Sequence, residues 1–212
     1  MDKLDIDFNK YPMIGNEDYA YWGKLGVGGG GEKFTKDSYI ARYRPHNYKI
    51  VDTIVECCGK PKKVLSLGCG LGFDIERLLT IGVYAVGVEV AKHMINSSPM
   101  KDKIFSGSAS DLSQFSDSEF DLVLALELLE HIPPELTEKT VSEIRRVGNN
   151  IAVLTIGRGK ADPTHINIRS RNEWEKILVP IDYKLQKCVS NGLKDKRLVD
   201  MVWDRVYVME LK

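Results

Sequence analysis

The sequence has no excess charge of either sign, because its 30 Lys and Arg residues balance 30 Asp and Glu residues. A protein that binds nucleic acid mainly through phosphates carries a basic excess, so a nucleic-acid partner is not expected. There is also no apolar run near the roughly 18 residues that a membrane span requires. The first residues are acidic and polar, unlike the basic and apolar start of a signal peptide. These absences predict a cytoplasmic protein without a membrane partner.

Cysteine is scarce, and no two cysteines form a C-x-x-C pair. The four cysteines are Cys57, Cys58, Cys69 and Cys188. This spacing suits neither a zinc ribbon nor a disulfide framework. We therefore expect four reduced thiols in a reducing compartment.

From about residue 47 onward, short apolar runs rich in Val, Ile and Leu alternate with segments of helical period. This alternation is typical of a doubly wound α/β fold with a mostly parallel sheet. Buried parallel strands are predicted at 64–67, 84–89, 103–105, 120–126 and 151–156. Helices are predicted at 47–58, 134–147 and 171–178. Two more strands, 183–190 and 204–211, are joined too closely for a crossover helix, so the sequence predicts a seven-stranded sheet that closes with an antiparallel pair.

Residues 1–46 differ from the rest, since they are rich in aromatics and contain the run Gly26–Gly31 without regular periodicity. The run ends in Glu-Lys-Phe and not in the Gly-Lys-Ser/Thr of a P-loop, so a phosphate cradle is not expected. A substrate-capping segment, an interface and simple packing all suit these residues. We predict a capping segment, 1–46, before a ligand-binding domain, 47–212.

The strongest local signal is a strand that runs into three glycines, Gly68, Gly70 and Gly72, and then into a helix. Glycine lets the backbone turn sharply and lie against a ligand, while the helix offers free N–H groups. Phe73 stands where a dinucleotide fingerprint needs a small residue, which argues against a pyrophosphate. Glu89 ends the next strand, where an acidic side chain can accept both ribose hydroxyls. A nucleoside ligand is expected here.

A second polar cluster follows the fourth and fifth strands. The segment directly after residues 120–126 contains Glu127, Glu130 and His131 within one turn. The loop after residues 151–156 contains His165. These side chains can converge on one proton or one metal ion. The alternatives are a half-buried His131 that caps backbone and a His165 that packs on Trp174.

Three segments resemble, in order along the chain, the first four motifs of the class I S-adenosylmethionine-dependent methyltransferases. They are VLSLGCGLG, AVGVEV and GSASDLSQFSDSEFDLVLALELLEHI. The resemblance covers roughly residues 47–212. It implies a cofactor site of Gly68, Gly70 and Gly72 under the methionine part, Glu89 on the ribose hydroxyls, Ser108 and Ala109 beside the adenine, and Leu126. Two positions depart from the family pattern, because Ser66 and Ser108 stand where acidic residues are usual. Asp111 is a candidate to compensate for the second change.

The resemblance implies methyl transfer, which would convert S-adenosylmethionine to S-adenosylhomocysteine. We expect O-methylation of a small-molecule acceptor, with His131 and His165 as candidate catalytic residues that accept the hydroxyl proton. Glu-x-x-Glu-His with a later histidine is also similar to two metal-dependent groups of this family, the ubiquinone-pathway O-methyltransferases and the small-RNA 3′-terminal 2′-O-methyltransferases. A divalent metal, an RNA hydroxyl as acceptor and a non-catalytic nucleoside-binding module therefore stay open. A nicotinamide oxidoreductase is disfavoured by Phe73 and the antiparallel closing pair.

Overall fold

The computed structural model describes residues 36–157, 164–195 and 205–212. The strands of this part are β1 Lys63–Leu67, β2 Tyr84–Glu89, β3 Ile104–Ser106, β4 Phe120–Leu126, β5 Gly148–Thr155 and β6 Val206–Glu210. They form one six-stranded sheet in the order β3-β2-β1-β4-β5-β6. All neighbours pair in parallel except β6, which runs antiparallel to β5. The predicted mostly parallel α/β fold with an antiparallel C-terminal strand is confirmed.

Helices cover both faces of the sheet. They are α1 Lys36–Cys58, α2 Phe73–Thr80, α3 Lys92–Ser97, α4 Thr137–Val147, α5 Arg171–Leu178 and α6 Tyr183–Asp195. Alternate residues of each buried strand point to opposite faces, so Val64 packs with α1, α2 and α6 while Leu65 packs with α4 and α5. Burying such a side chain contributes about 1.5 to 3 kcal/mol, and this is why the strands are apolar on both faces.

The predicted strand at 183–190 is wrong, because this segment belongs to α6. Its buried residues Gln186, Val189 and Leu193 recur at intervals of three or four, which is the period of a helix. Val189 and Leu193 pack in one cluster with Ile50 and Val51 of α1. The described part of the sheet therefore has six strands in place of the predicted seven, and β6 pairs with β5 instead of with the 183–190 segment.

Helix α1 begins at Lys36, well before the predicted start at residue 47, and contains Pro45. Its second half buries Ile50, Val51 and Ile54 against the sheet, and its first half carries Tyr39 and Tyr43. One helix thus crosses the predicted boundary between residues 46 and 47. The division into a capping segment and a ligand-binding domain stays a prediction, and the run Gly26–Gly31 lies outside the described residues.

The expectation of four reduced thiols is wrong, because Cys57 and Cys188 form a disulfide with their Cα atoms 5.9 Å apart. These residues are separated by 131 positions in sequence. Only the packing of α6 on α1 brings them together, so their spacing along the chain carries no sign of the bond. Cys58 and Cys69 are free thiols.

Two smaller features complete the fold. Ser170 and Glu173 form the capping box expected from the sequence at the start of α5. Among the described residues, no helix has both the length and the apolar character needed to cross a membrane.

Candidate active site

A cavity of about 400 Å³ lies where the carboxyl ends of β1, β2, β4 and β5 meet the first half of α1. It is lined by Tyr39, Tyr43, His46, Asn47, Ile50, Ser66, Leu67, Gly68, Cys69, Gly70, Asp74, Glu89, Val90, Ala91, His93, Met94, Leu126, Glu127, Leu128, His131, Ile132, Thr155 and His165. In doubly wound sheets, ligands bind at the carboxyl ends of the strands, beside the point where the strand order reverses. Here that point lies between β1 and β4, so the cavity is at the expected ligand site.

The glycine turn forms the floor of this cavity. Gly68, Gly70 and Gly72 all have positive φ, at 63°, 53° and 73°, which side chains other than glycine rarely tolerate. A Cβ atom at Gly68 would lie 2.7 Å from Leu128 Cδ1, whereas one at Gly70 would make only ordinary contacts of 3.5 Å or more. Gly68 and Gly70 line the cavity, and Gly72 instead caps α2 beneath it.

Glu89 lies in the cavity wall at the end of β2 with both carboxylate oxygens held by backbone. Its Oε2 accepts a hydrogen bond of 2.8 Å from the N–H of Gly70. Its Oε1 accepts hydrogen bonds of 2.8 and 2.9 Å from the N–H groups of Val90 and Ala91. The carboxylate is therefore oriented before any ligand binds, and Oε2, which accepts only one of these bonds, keeps a lone pair for a hydroxyl donor.

Three side chains of the predicted polar cluster converge at the other end of the cavity. Glu130, His131 and His165 each offer one ligand atom, and these atoms all lie within 4.8 Å of one another. The two imidazole rings are edge to face with centroids 4.9 Å apart. His131 Nδ1 is also 3.2 Å from the carbonyl oxygen of Thr164.

Buried Asn167 fixes the loop that carries His165. Its backbone N–H donates to the carbonyl oxygen of Glu130 over 3.0 Å. Its side-chain amide donates to the carbonyl oxygen of Leu129 and to Oγ1 of Thr137, over 3.1 and 2.9 Å. The loop after β5 is thus tied to the turn after β4, and this contact places His165 beside His131.

Glu130 is a fully buried residue, and only one of its two carboxyl oxygens accepts a hydrogen bond in the described structure. Its Oε1 accepts a hydrogen bond of 2.5 Å from the N–H of Gly157, but its buried Oε2 has no hydrogen-bond partner in the described structure. Burial raises the pKa of Glu130 well above its ordinary value, and the nearby charge of Glu127 raises this pKa further. A cation beside the cluster would oppose both effects.

Comparisons with known proteins show the family to which this chain belongs. A family model described as a methyltransferase domain matches residues 65–154. The ubiquinone biosynthesis O-methyltransferase of Thiobacillus denitrificans is 32% identical over 188 residues, which cover 78% of this chain and 79% of that enzyme. This chain belongs to the class I S-adenosylmethionine-dependent methyltransferases.

Other relatives of this methyltransferase match it over different lengths. A ubiquinone biosynthesis O-methyltransferase of Aromatoleum aromaticum is 30% identical over 105 residues, 46% of this chain. The match spans only 45% of that enzyme, so less than half of its length. The crystal structure of a SAM dependent methyltransferase from Archaeoglobus fulgidus superimposes with a TM-score of 0.57 at 18% identity, covering 90% of this chain and 98% of that one. This last match shows the same fold.

The structure does not bring every predicted site residue of the methyltransferase into the cavity. Leu126 lines it, but Ser108 and Ala109 lie at the end of β3 outside the lining. The hydroxyl oxygens of Ser108 and Ser110 are 2.8 Å apart, and Ala109 is buried in the core. Asp111 is held by its own turn, where hydrogen bonds from Ser113 lower its pKa. The contact of Ser108 and Ala109 with the adenine stays a prediction.

Glu127 lines the cavity beside the three converging residues but is not one of the group. Its φ of 50° is unusual for a residue with a side chain, and its N–H donates over 2.9 Å to both the carbonyl oxygen and Oγ1 of Thr155. Its Oε2 is 3.6 Å from Nη1 of Arg205. Of the four predicted metal ligands, Glu130, His131 and His165 therefore form one group, and Glu127 is a neighbour of that group.

Helix α1 contributes residues to the cavity that the sequence placed in the predicted capping segment without a helix. Tyr39, Tyr43 and His46 line one side of the cavity. Their spacing of four and three residues places them on one face of a helix, so this pattern could have revealed them. It was hidden because the predicted helix began only at residue 47. The Tyr39 ring lies 4.6 Å from that of Tyr43 and 6.3 Å from that of Phe73, which joins α1 to the glycine turn.

Proposed function

We propose that this methyltransferase transfers the methyl group of S-adenosylmethionine to a hydroxyl oxygen of a small-molecule acceptor. The observation that carries the proposal is one cavity that holds the glycine turn and Glu89 at one end and His131 and His165 at the other. The relatives named as O-methyltransferases support oxygen as the acceptor atom. The half-buried rings of Tyr39 and Tyr43 support a flat, hydroxylated aromatic acceptor, since aromatic side chains stack on such rings.

The residues of the cavity fit S-adenosylmethionine. Its lining contains the carboxyl groups of Asp74, Glu89 and Glu127, and the described lining residues include no Lys or Arg. An acidic wall favours a cationic ligand. Glu89 would accept hydrogen bonds from the ribose hydroxyls, and Gly70 leaves room for the methionine part to pass over the backbone. When bound, the sulfonium supplies the methyl group in electrophilic form.

The chain itself would orient the acceptor and take its proton. Holding two reactants in line can supply roughly 7 to 11 kcal/mol of the barrier lowering in such displacements. A hydroxyl acceptor must also lose a proton, and imidazole is the side chain best suited to accept one near neutral pH. His131 and His165 line the cavity as a pair, so we assign proton acceptance to them.

A divalent metal at Glu130, His131 and His165 is the second arrangement that this geometry supports. The buried Oε2 of Glu130, with no hydrogen-bond partner in the described structure, favours it. Ligand atoms on one small cation stand about 3 to 4 Å apart, so groups within 4.8 Å need only small rotations. Nitrogen and oxygen ligands suit Mg²⁺, Mn²⁺ or Zn²⁺, and the ion would acidify the acceptor hydroxyl.

The test of the function is a transfer assay with methyl-labelled S-adenosylmethionine. The acceptors are phenols, catechols, aliphatic alcohols and a short RNA with a free 3′-terminal 2′-hydroxyl. Label on a phenol or catechol supports the proposal, label on the RNA alone favours the RNA hydroxyl, and no label with tight binding of S-adenosylhomocysteine favours a binding module. His131→Ala and His165→Ala should each lower the rate, and loss of the general base itself should lower it about a hundredfold or more.

The metal is tested separately by calorimetric titration of the protein with MgCl₂, MnCl₂ and ZnCl₂. The wild type should bind one of these ions, and His165→Ala should bind it at least about tenfold more weakly, because one of three ligands is gone. Transfer that survives EDTA, together with no binding of any of the ions, would exclude the metal and leave the histidines as bases.

A further inference from the structure

We propose that Asp74, held in place by Ser66, binds the α-ammonium group in the methionine part of S-adenosylmethionine. The inference rests on the proposed function and assigns one more residue to its cofactor site. Asp74 is the second residue of α2, directly after the glycine turn, and Ser66 is near the end of β1, directly before it. Both line the cavity beside Gly68 and Gly70.

The two residues meet across the turn. The buried hydroxyl of Ser66 donates a hydrogen bond to Oδ2 of Asp74. Oδ1 of Asp74 accepts a hydrogen bond of 2.9 Å from the N–H of Ile75. These two bonds fix the carboxyl group and leave lone pairs on both oxygens, enough to accept from an ammonium group with three donors.

Asp74 is a carboxyl group without a counter-ion among the residues that the structure describes. It is only 5% exposed, and no Lys, Arg or His of the described residues forms an ion pair with it. Burying an unpaired charge is costly, so a buried carboxylate is normally paired or bound to a cation. Burial accordingly raises the pKa of Asp74, against the lowering effect of the Ser66 hydrogen bond. A cationic group arriving through the cavity would stabilise the ionised form.

The other two acidic residues of the lining are placed for different partners. Glu89 accepts from three backbone N–H groups at the end of β2. Glu127 lies beside Glu130 after β4, with Arg205 at 3.6 Å. Asp74 is therefore the acidic residue of the lining whose carboxyl group is held from both sides of the glycine turn, by Ser66 and Ile75, where the methionine part is expected to pass. The alternative is that Asp74 only braces the turn through Ser66 and Ile75.

The two roles of Asp74, binding the ammonium group and bracing the turn, predict different effects of an Asp74 substitution on the affinity for ligands that lack the ammonium group. The probes are S-adenosylhomocysteine and its desamino analogue, in which a hydrogen atom replaces the α-ammonium group. Calorimetry measures the affinity of both for the wild type, Asp74→Asn and Ser66→Ala. Asp74→Asn keeps the size and the hydrogen-bonding shape of the side chain and removes its charge. Neither probe carries the sulfonium, so the comparison isolates the ammonium group.

The wild type should bind S-adenosylhomocysteine about tenfold or more tightly than the desamino analogue, as expected for a hydrogen bond to a charged group. Asp74→Asn should lose about that factor for S-adenosylhomocysteine and less than about twofold for the analogue. Ser66→Ala should lose less, in the same direction. Equal losses for both probes would overturn the proposal and leave Asp74 as a brace.

If Asp74→Asn does not fold, the wild type and Ser66→Ala still test the proposal, because Ser66→Ala should weaken the binding of S-adenosylhomocysteine more than the binding of the analogue. Equal affinity of the wild type for the two probes would show that no residue recognises the ammonium group, and the proposal would fail. A wild type that binds neither probe would instead overturn the proposed function itself.

Discussion

The backbone N–H of Gly157 donates a hydrogen bond of 2.5 Å to Oε1 of Glu130. This contact joins the end of β5 to the buried carboxyl group in the turn after β4. A Cβ atom added to Gly157 would lie 2.5 Å from that oxygen and 2.7 Å from Cε1 of His165. The absence of a side chain at residue 157 therefore allows Glu130 and His165 to come close to His131.

We predict that Gly157→Ala separates catalysis from cofactor binding. The new methyl group would push Glu130 and His165 apart, so methyl transfer should fall at least about tenfold, which is less than the roughly hundredfold or larger loss expected when a positioned acid or base is removed. The affinity for S-adenosylhomocysteine should change less than about twofold, because Glu89 and the glycine turn are at the other end of the cavity. Steady-state transfer rates and calorimetry check the two parts.

Gly59→Ala is the matched control for this variant. Gly59 has a φ of 79°, an added Cβ atom there would have no atom of the described residues within 4 Å, and Gly59 is not among the residues that line the cavity. Its substitution should cost roughly 1 kcal/mol of stability from backbone strain alone and leave transfer unchanged. A similar loss of activity in both glycine variants would mean that Gly157 acts only through stability.

Glu89→Ala should weaken the binding of S-adenosylhomocysteine by about 1.5 to 3 kcal/mol, because hydrogen bonds to a charged group are lost. Part of the loss comes from the freed N–H groups of Gly70, Val90 and Ala91. Glu89→Gln keeps an acceptor oxygen and should lose less. Unchanged affinity of Glu89→Ala in a calorimetric titration would remove this residue from the cofactor site.

Truncation tests the role of the N-terminal part. A chain that starts at Lys36 keeps all of α1, so it should fold and bind S-adenosylhomocysteine while losing methyl transfer if the removed residues cap the acceptor. A chain that starts at Asn47 keeps the core residues Ile50 and Val51 but lacks Tyr39 and Tyr43 of the cavity. It should fold and bind S-adenosylhomocysteine more weakly. Full transfer by the chain from Lys36 would contradict the capping role.

The disulfide predicts a particular count of reactive thiols. Denatured protein treated with iodoacetamide should carry two alkyl groups without reductant and four after reduction, measured by mass spectrometry. In the folded protein, burial raises the pKa of Cys58 to about 11, so its alkylation should be slow at pH 8 and rise about tenfold per pH unit below that pKa. Four alkyl groups without reductant would contradict the bond.

Loss of the same bond should also lower stability. The Cys57–Cys188 link closes a loop with a sequence separation of 131, so Cys188→Ser should cost about 2 to 5 kcal/mol in denaturant unfolding. Cys58→Ser is the matched control, since it removes a neighbouring thiol and no bond. Stable disulfides are rare in the reducing cytosol. Alkylation of the thiols in living cells before lysis would therefore also test the predicted cytoplasmic location.

The parts of the protein that the sequence alone determined are those that depend on neighbours along the chain. Uniformly apolar runs predicted β1 to β5, because strands buried on both faces need apolar residues at every position. The glycine turn followed from three glycines at alternate positions, and the capping box from Ser170 and Glu173. Glu130, His131 and His165 were predicted to approach one another because parallel strands end at one edge of the sheet.

Only the tertiary structure decided the features that need contacts between distant segments. The segment 183–195 is short and mixed in polarity, so its local sequence was compatible with either a strand or a helix. Its packing on α1 selected the helix. The same packing formed the Cys57–Cys188 bond across 131 positions. The tertiary structure also decided that α1 begins before Pro45, so that Tyr39 lies beside Phe73 at the glycine turn, and that Asp74 supplies a carboxyl group beside Ser66. Each depends on burial and charge in three dimensions, which spacing along the chain does not record.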